Sequence, residues 1–460
     1  MAPHTVTASI LDSVVRVVAY EAKLDWKMPF QQPNPSKNVG SGFFIDAEGH
    51  VLTCSHVVEN NAKEIYIQTS SGDRKYSVTV VGLCPLFDLA VLKVRGYRNA
   101  SYCRLNGGFR TPGAETYALG YPLGQDNVKL TKGIVSGQQY NFLQTDAPIN
   151  PGNSGGPLVY KNRVIGVNAA GIAAKDAEGI GYAVPIARFL LIRGALMKKG
   201  GGGRGRTLVH YPEYFGFENM QPTSPDQIAA LGSKCKTGGM YVNDVIPKSP
   251  VASTSLRRGD VLCEVNGVGL DAFGKMRKRW MNDNMSVQSF LFEIGLNKPV
   301  RVRFWRDTKM RTETFATKLF VPKIRNVYPS FERVPYVCVG GVVLMDLNRN
   351  IIVDLKLVEQ HEYLNIDKVM EERVVITNVL AGSSIGRLNI LSSGNLVARV
   401  NGTNVRTVRD VVRALTRNKR GRYTKLETDK GKVLVMATKT VREDDARLGA
   451  LYNYAPLELK

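Results

Sequence analysis

Gly152-Asn153-Ser154-Gly155-Gly156-Pro157 decides how this chain of 460 residues is read, because a serine set between glycines in this order suits an acyl-transfer nucleophile. A serine that attacks a carbonyl needs its own backbone N–H, and that of the residue two before it, aimed at the oxygen that becomes negative. Only a tight turn with its backbone bared on the inside achieves this. Gly152 and Gly155 permit dihedrals and close approaches that a side chain would block. The expected oxyanion hole is therefore Gly152, Asn153 and Ser154, with the outer two donating N–H groups and Asn153 closing the turn.

Such a serine is inert without a base and a group that orients the base. Of the five histidines, His56 lies where the strand pattern Val51-Leu52-Thr53 breaks into a turn of small residues. His4 falls in a terminal tail, His50 in an Asp46-Ala47-Glu48-Gly49 turn, and His210 and His361 lie far beyond the nucleophile. Asp88 stands in Leu86-Phe87-Asp88-Leu89-Ala90-Val91-Leu92, an acid among apolar residues. Burying a carboxylate is costly unless a partner receives it, and an imidazole N–H is such a partner.

The order His56, Asp88, Ser154 is that of the chymotrypsin-like double β-barrel, and it differs from the orders of subtilisins and α/β-hydrolases. Short β-branched runs at residues 14–18, 42–45, 65–68, 78–81, 90–94, 116–119, 133–135, 164–167 and 181–184 alternate with Gly, Pro, Asn and Asp turns, as a pair of barrels requires. No helical period intrudes before residues 186–197.

Gly40-Ser41-Gly42-Phe43, His56-Val57-Val58, Asp88-Leu89-Ala90-Val91-Leu92, Gly120-Tyr121-Pro122-Leu123-Gly124 and Gln144-Thr145-Asp146-Ala147-Pro148-Ile149-Asn150 leading into Pro151 and the hexapeptide together resemble the Deg/HtrA serine proteases. The resemblance spans residues 10–197. It implies a mainly β protein: a chymotrypsin-like protease domain of two six-stranded β-barrels, followed by PDZ-like α+β domains. It also implies an ATP-independent endopeptidase of unfolded or misfolded proteins that assembles as a trimer or a multiple of trimers, with no metal and no cofactor. Ile149 and the Asn168-Ala169-Ala170-Gly171-Ile172 stretch, Ala170 and Gly171 included, would line the specificity pocket. Pro148 stands where trypsin-like members have an acid, so cleavage after small or apolar residues is expected. Loops 124–131, 144–153 and 171–179 are the candidates for switching between disordered and ordered states.

Lys198-Lys199-Gly200-Gly201-Gly202-Gly203-Arg204-Gly205-Arg206 has no apolar residue and can bury nothing, so it reads as a linker. It divides a protease domain at 1–197 from a first PDZ domain at 207–322 and a second, divergent one at 323–460. In the first, Tyr214-Phe215-Gly216-Phe217 resembles the PDZ loop that receives a peptide carboxylate, with Phe215, Gly216 and Phe217 as its members, while the peptide adds a strand to the sheet edge. Val265-Asn266-Gly267 recurs as Val400-Asn401-Gly402, which marks an internal repeat. The second unit carries a long insertion through Glu372. With Trp26-Lys27-Met28-Pro29-Phe30, this looks most like plant-type Deg proteases, whose second PDZ domain serves assembly more than peptide capture.

The net charge is +22, and most of the surplus lies beyond residue 195. Dense basic stretches at 275–306 and 406–432, with Trp280 and Trp305 among the arginines, leave nucleic acid as a further candidate partner through stacking and phosphate contacts. A scaffold or chaperone with little proteolysis is the other alternative. No apolar run approaches the ~20 residues of a membrane span, and Met1-Ala2-Pro3-His4-Thr5 resembles no secretory signal. Six dispersed cysteines without CxxC pairs suggest neither zinc nor a disulfide framework. The expected location is accordingly a reducing, intracellular compartment, cytosol or nucleus, with an organelle or virus particle also open. Cys54, two residues before the candidate base, is a place where oxidation would disturb the site.

Overall fold

Runs of β-branched residues bounded by turn formers become two closed barrels in the computed structural model. The structure describes residues 5–32, 35–60, 64–70, 74–97, 101–108, 111–139, 142–169, 179–198, 207–209, 215–217, 219–235, 238–277, 284–365, 367–417 and 421–457. The first barrel holds β1 (Val14–Ala22), β2 (Pro35–Phe44), β3 (His50–Thr53), β4 (Glu64–Gln68), β5 (Lys75–Cys84) and β6 (Leu89–Val94), closed where β5 pairs β6. The second holds β7 (Glu115–Gly120), β8 (Lys129–Gln139), β9 (Phe142–Thr145), β10 (Pro157–Tyr160), β11 (Arg163–Asn168) and β12 (Gly181–Pro185), in the closed order β10-β11-β12-β9-β8-β7.

Two strands escape the sequence reading, β9 and β10, because each has four residues, too few to show a period. A short helix, α1 (Ala8–Ser13), precedes β1 although no helix is expected before residue 186; six residues are less than two turns. The expected helix after the barrels is α2 (Ile186–Leu196), which buries Phe189, Ile192 and Leu196.

Packing divides the chain into two units, Met1–Glu21 with Ser36–Val321, and Ala22–Pro35 with Pro322–Lys460. Within the first, β13 (Thr207–Leu208) runs parallel to β5. It is followed by β14 (Met220–Pro222), α3 (Pro225–Ala230), β15 (Met240–Val242), β16 (Val261–Val265), β17 (Val268–Gly269), β18 (Lys275–Arg277), β19 (Asn284–Ser286), α4 (Val287–Ile294), β20 (Pro299–Arg306) and β21 (Lys309–Ala316). The sheet runs β14-β15-β16-β20-β21, so β14 is its edge. Most of the proposed linker lies outside the described residues.

The second unit builds a sheet in the order β22 (Tyr336–Val339), β23 (Val342–Asp346), β24 (Val374–Val379), β25 (Leu396–Val400), β27 (Tyr423–Thr428) and β28 (Val433–Ala437), with β26 (Thr403–Asn404) beside β25. Its helices are α5 (Arg349–Asp354), inside the insertion, then α6 (Ser384–Arg387), α7 (Val408–Arg417) and α8 (Thr438–Tyr452). The segment between β1 and β2 belongs to this unit: Trp26 is buried with Ile324, Met345 and Ile351, and the Phe30 ring lies 5.1 Å from that of Tyr454 with planes tilted by 44°.

The repeated Val-Asn-Gly triplets form matching hairpins. Asn266 and Gly267 have φ 50° and 78°, Asn401 and Gly402 φ 50° and 77°, the two successive positive angles of a type I′ turn. Each asparagine side chain accepts from the neighbouring strand, Arg301 N and Lys425 N, at 2.8 Å.

The cysteine reading needs correction. Cys235 and Cys263 are joined as a disulfide, Cα atoms 5.2 Å apart across a separation of 28 residues, so the inference of a reducing compartment loses its support. Sheet packing makes that pair, and no spacing rule reveals it. The other four cysteines are free and buried. Among the described residues no helix is long and apolar enough to cross a membrane. The stacking role considered for Trp305 also falls: its ring is buried and its Nε1 donates to Leu231 O at 3.2 Å. Trp280 lies outside the described residues.

Candidate active site

β3 ends at Thr53, and the chain enters a 3-10 turn, Ser55–Val57, that carries His56. The facing carboxylate comes from the end of another such turn, Pro85–Phe87, where Asp88 adopts left-handed φ 52°, ψ 45°, a conformation that Asp tolerates better than most side chains. This geometry turns Asp88 onto the His56 loop. Its Oδ1 accepts from His56 N at 3.1 Å and from Ser55 Oγ at 3.0 Å, and its two oxygens lie 3.0 and 2.9 Å from His56 Nδ1. With Nδ1–H given to Asp88, Nε2 is the nitrogen left to take a proton.

Burial works against a charged imidazole. The Asp88 hydrogen bond and negative charge, helped by the charges of Glu59 and Glu21, outweigh it and raise the His56 pKa above the ordinary histidine value. Glu59 is itself pushed up, first by burial and then by the charge of Asp88. Cys54 Sγ lies within 4.8 Å of ligand atoms of His56 and Asp88. Burial, then the Asp88 charge, holds this thiol well above its usual value, so it is not a thiolate ready for metal or peroxide. Its Sγ donates instead to Asn168 O at 3.2 Å.

The Ser154 turn closes against the same carbonyl, since Gly155 N donates to Asn168 O at 2.8 Å. Gly152 and Gly155 have φ 96° and 88°, and a Cβ on Gly155 would lie 2.1 Å from Ser41 O and 3.0 Å from Cys54 N. The turn thus sits directly against the strand end that leads to His56, with Ser154 almost wholly buried. Asn153 N–H donates to Asn150 O at 2.9 Å, which holds the middle of the turn.

Residues 40–167 match the family described as trypsin-like peptidase domain, and residues 328–455 match the PDZ domain. The putative serine protease HhoA of Synechocystis is 32% identical over 305 residues, 60% of this chain and 70% of that protein. This chain belongs to the HtrA/DegP family of serine proteases. Other family members it is similar to are the probable periplasmic serine endoprotease DegP-like of Chlamydia pneumoniae, 34% identical over 54% of this chain and 51% of that protein, and the periplasmic serine endoprotease DegP of Escherichia coli, 33% identical over 52% and 50%. The chain thus spans about half the length of those two relatives. Among solved structures, an HtrA-type protease AlgW with tripeptide aligns at TM-score 0.52 and 26% identity, covering 68% of this chain and 97% of that one.

For an HtrA/DegP chain the other expected site residues stand as follows. Ile149 is half-buried and lies over Gly181, where a Cβ would meet its side chain at 3.0 Å. Ala170 and Gly171 lie outside the described residues. Pro148 is exposed, and the one acid of that loop, Asp146, uses Oδ1 to accept from Ile134 N at 2.6 Å. Phe215 and Phe217 are buried, and Gly216 has φ 107° with Ser249 Oγ 2.3 Å from where a Cβ would stand. In the C-terminal unit, Gly340 N of the β22–β23 hairpin donates to Asp445 Oδ1 at 2.7 Å, and burial pushes that carboxyl up to about 7.

Ser41 is the site residue that sequence reasoning missed. It sits on β2, fully buried, and grips the Ser154 turn: its N–H donates to Ser154 O at 2.7 Å, its Oγ donates to Gly152 O at 2.6 Å, and that Oγ accepts from Tyr121 N at 2.9 Å. The only signal in the sequence is its place within Gly40-Ser41-Gly42. Ser41→Ala takes this partner from the buried Tyr121 N–H and from the half-buried Gly152 carbonyl, so stability should fall by about 1–3 kcal/mol in denaturant unfolding. Labelling of Ser154 by a fluorophosphonate should slow as the oxyanion turn loosens, and unchanged labelling would show that the turn does not need Ser41.

Proposed function

We propose that this chain is an ATP-independent serine endopeptidase that cuts unfolded or misfolded proteins by acyl transfer. His56 takes the Ser154 hydroxyl proton, Asp88 holds the imidazole, and the N–H groups of Gly152 and Ser154 receive the oxyanion. His56 then protonates the leaving amine, and water hydrolyses the acyl-enzyme by the same route. The observation that carries this reading is the two-oxygen grip of Asp88 on His56 Nδ1, within 3.0 Å, beside a serine turn with two left-handed glycines.

The pocket reading predicts cleavage after Val, Ala, Ile or Leu. Ile149 is apolar, and no acid stands at residue 148 to pair with a basic side chain. The test is digestion of reduced, alkylated casein with the cut sites read by mass spectrometry, with and without a fluorophosphonate. Small apolar P1 residues and full inhibition are expected. Cuts after Lys or Arg would overturn the pocket, and insensitivity to the fluorophosphonate would overturn the mechanism.

Residues 207–322 form a first PDZ domain, with Phe215, Gly216 and Phe217 receiving peptide carboxylates next to the open edge of β14. The C-terminal PDZ serves assembly, a view supported by Asp445 already occupying a backbone N–H of its Gly340 turn. A trimer or multiple of trimers, loops 124–131 and 144–153 that order on assembly, and kinship to plant-type Deg proteases complete the proposal; of the third candidate loop, 171–179, residues 171–178 lie outside the described residues.

A further inference from the structure

Phe87 immediately precedes Asp88, ends the Pro85–Phe87 turn and is 1% exposed. The barrel does not bury it alone. Phe292, on α4, meets it edge-on with ring centroids 5.8 Å apart and planes at 88°. The same Phe292 meets Phe215 at 5.9 Å and 61°. Across the Phe87 ring the Arg188 guanidinium lies 5.2 Å from the centroid, and it also covers Phe142 at 5.5 Å. One half-buried ring therefore touches both the loop read for peptide carboxylates and the residue joined to the aspartate that holds His56.

The coupling to chemistry is through the backbone. Asp88 N donates to Pro85 O at 3.0 Å, and Asp88 is locked in the left-handed region, so its carboxylate goes where the Pro85–Phe87 turn goes. Edge-to-face rings fix relative position, because the positive edge of one seeks the negative face of the other. A shift of about 1 Å in a reacting constellation costs on the order of a hundredfold in rate.

We propose that Phe292 is a positioning residue: it wedges Phe87 from the β14–β21 domain and thereby sets Asp88 against His56. The proposal rests on the serine-protease reading. Besides Asp88, the charged groups that act on His56 are Glu59 and Glu21, and Arg188 faces Phe87; none of them is on α4. Loosening Asp88 therefore withdraws the largest support of the imidazolium while the desolvation remains.

The test is the rate at which a fluorophosphonate labels Ser154 in the full chain, followed across pH. In wild type the rate rises as His56 loses its proton. For Phe292→Ala, labelling should slow about tenfold or more and its pH midpoint should move down, with Phe292→Tyr, which keeps the ring, restoring both. A folded Phe292→Ala with the wild-type midpoint overturns the proposal, whether or not the rate falls, since a structural loss alone does not move it. Should alanine unfold the chain, Phe292→Leu, which keeps bulk without a ring edge, carries the same comparison. A folded wild type that never labels at Ser154 overturns the protease reading and this proposal with it, a result distinct from the others.

Discussion

Ser154→Ala will lower hydrolysis of an unfolded protein by roughly a millionfold, toward the residual acceleration that oxyanion donors and substrate binding supply alone. The fold should barely register the change. The backbone contacts of Ser154, including the bond from Ser41 N to its carbonyl at 2.7 Å, do not involve its side chain, and alanine is smaller. Initial rates on alkylated casein, with thermal unfolding as the control, check this. A variant that keeps more than about a hundredth of wild-type activity with an unchanged Tm would mean that Ser154 is not the nucleophile, since loss of a covalent route is expected to cost far more.

Asp88→Asn should cost about ten-thousandfold in kcat and should move the pH profile. Asparagine tolerates the left-handed φ of 52°, so the turn survives and the loss is chemical. Its amide presents a donor as well as an acceptor to His56 Nδ1, which favours the wrong tautomer, and it removes the charge that raises the imidazole. The sign follows from the base having to be neutral: wild-type activity should rise with pH through a midpoint above the ordinary histidine value of about 6.5. In Asp88→Asn only burial and the weaker Glu59 and Glu21 charges remain, so the midpoint should fall. An upward shift, or an activity within tenfold of wild type, would show that Asp88 does not orient the base.

The site was legible where its chemistry demands particular residue types in local order. The two glycines around Ser154 are required by positive φ and by approaches of 2.4 Å at Gly152 and 2.1 Å at Gly155 that no side chain permits, and that need is written in six consecutive letters. His56 and Asp88 stood out because each interrupts an apolar run. Ser41 did not, because a buried serine donating to a distant carbonyl has no local signature. Phe292 was equally silent. An aromatic on an amphipathic helix reads as ordinary core, and only its distances to Phe87 and Phe215 separate it from any other.

By itself the sequence determined the strand-rich architecture, the candidate triad, the switch to a helix at Ile186 and the repeated Val-Asn-Gly hairpins, since all of these depend on short-range sterics, period and turn chemistry. Only the tertiary structure decided which distant pieces meet. It joined Cys235 to Cys263, which removed the argument for a reducing compartment. It buried Trp305, which withdrew it from any stacking role. It also carried Trp26 and Phe30, from the loop between the first two strands, into the core of the C-terminal unit. These outcomes turn on burial shared by residues tens to hundreds of positions apart, and the free energy of such contacts depends on the partner surface, which no window of sequence contains.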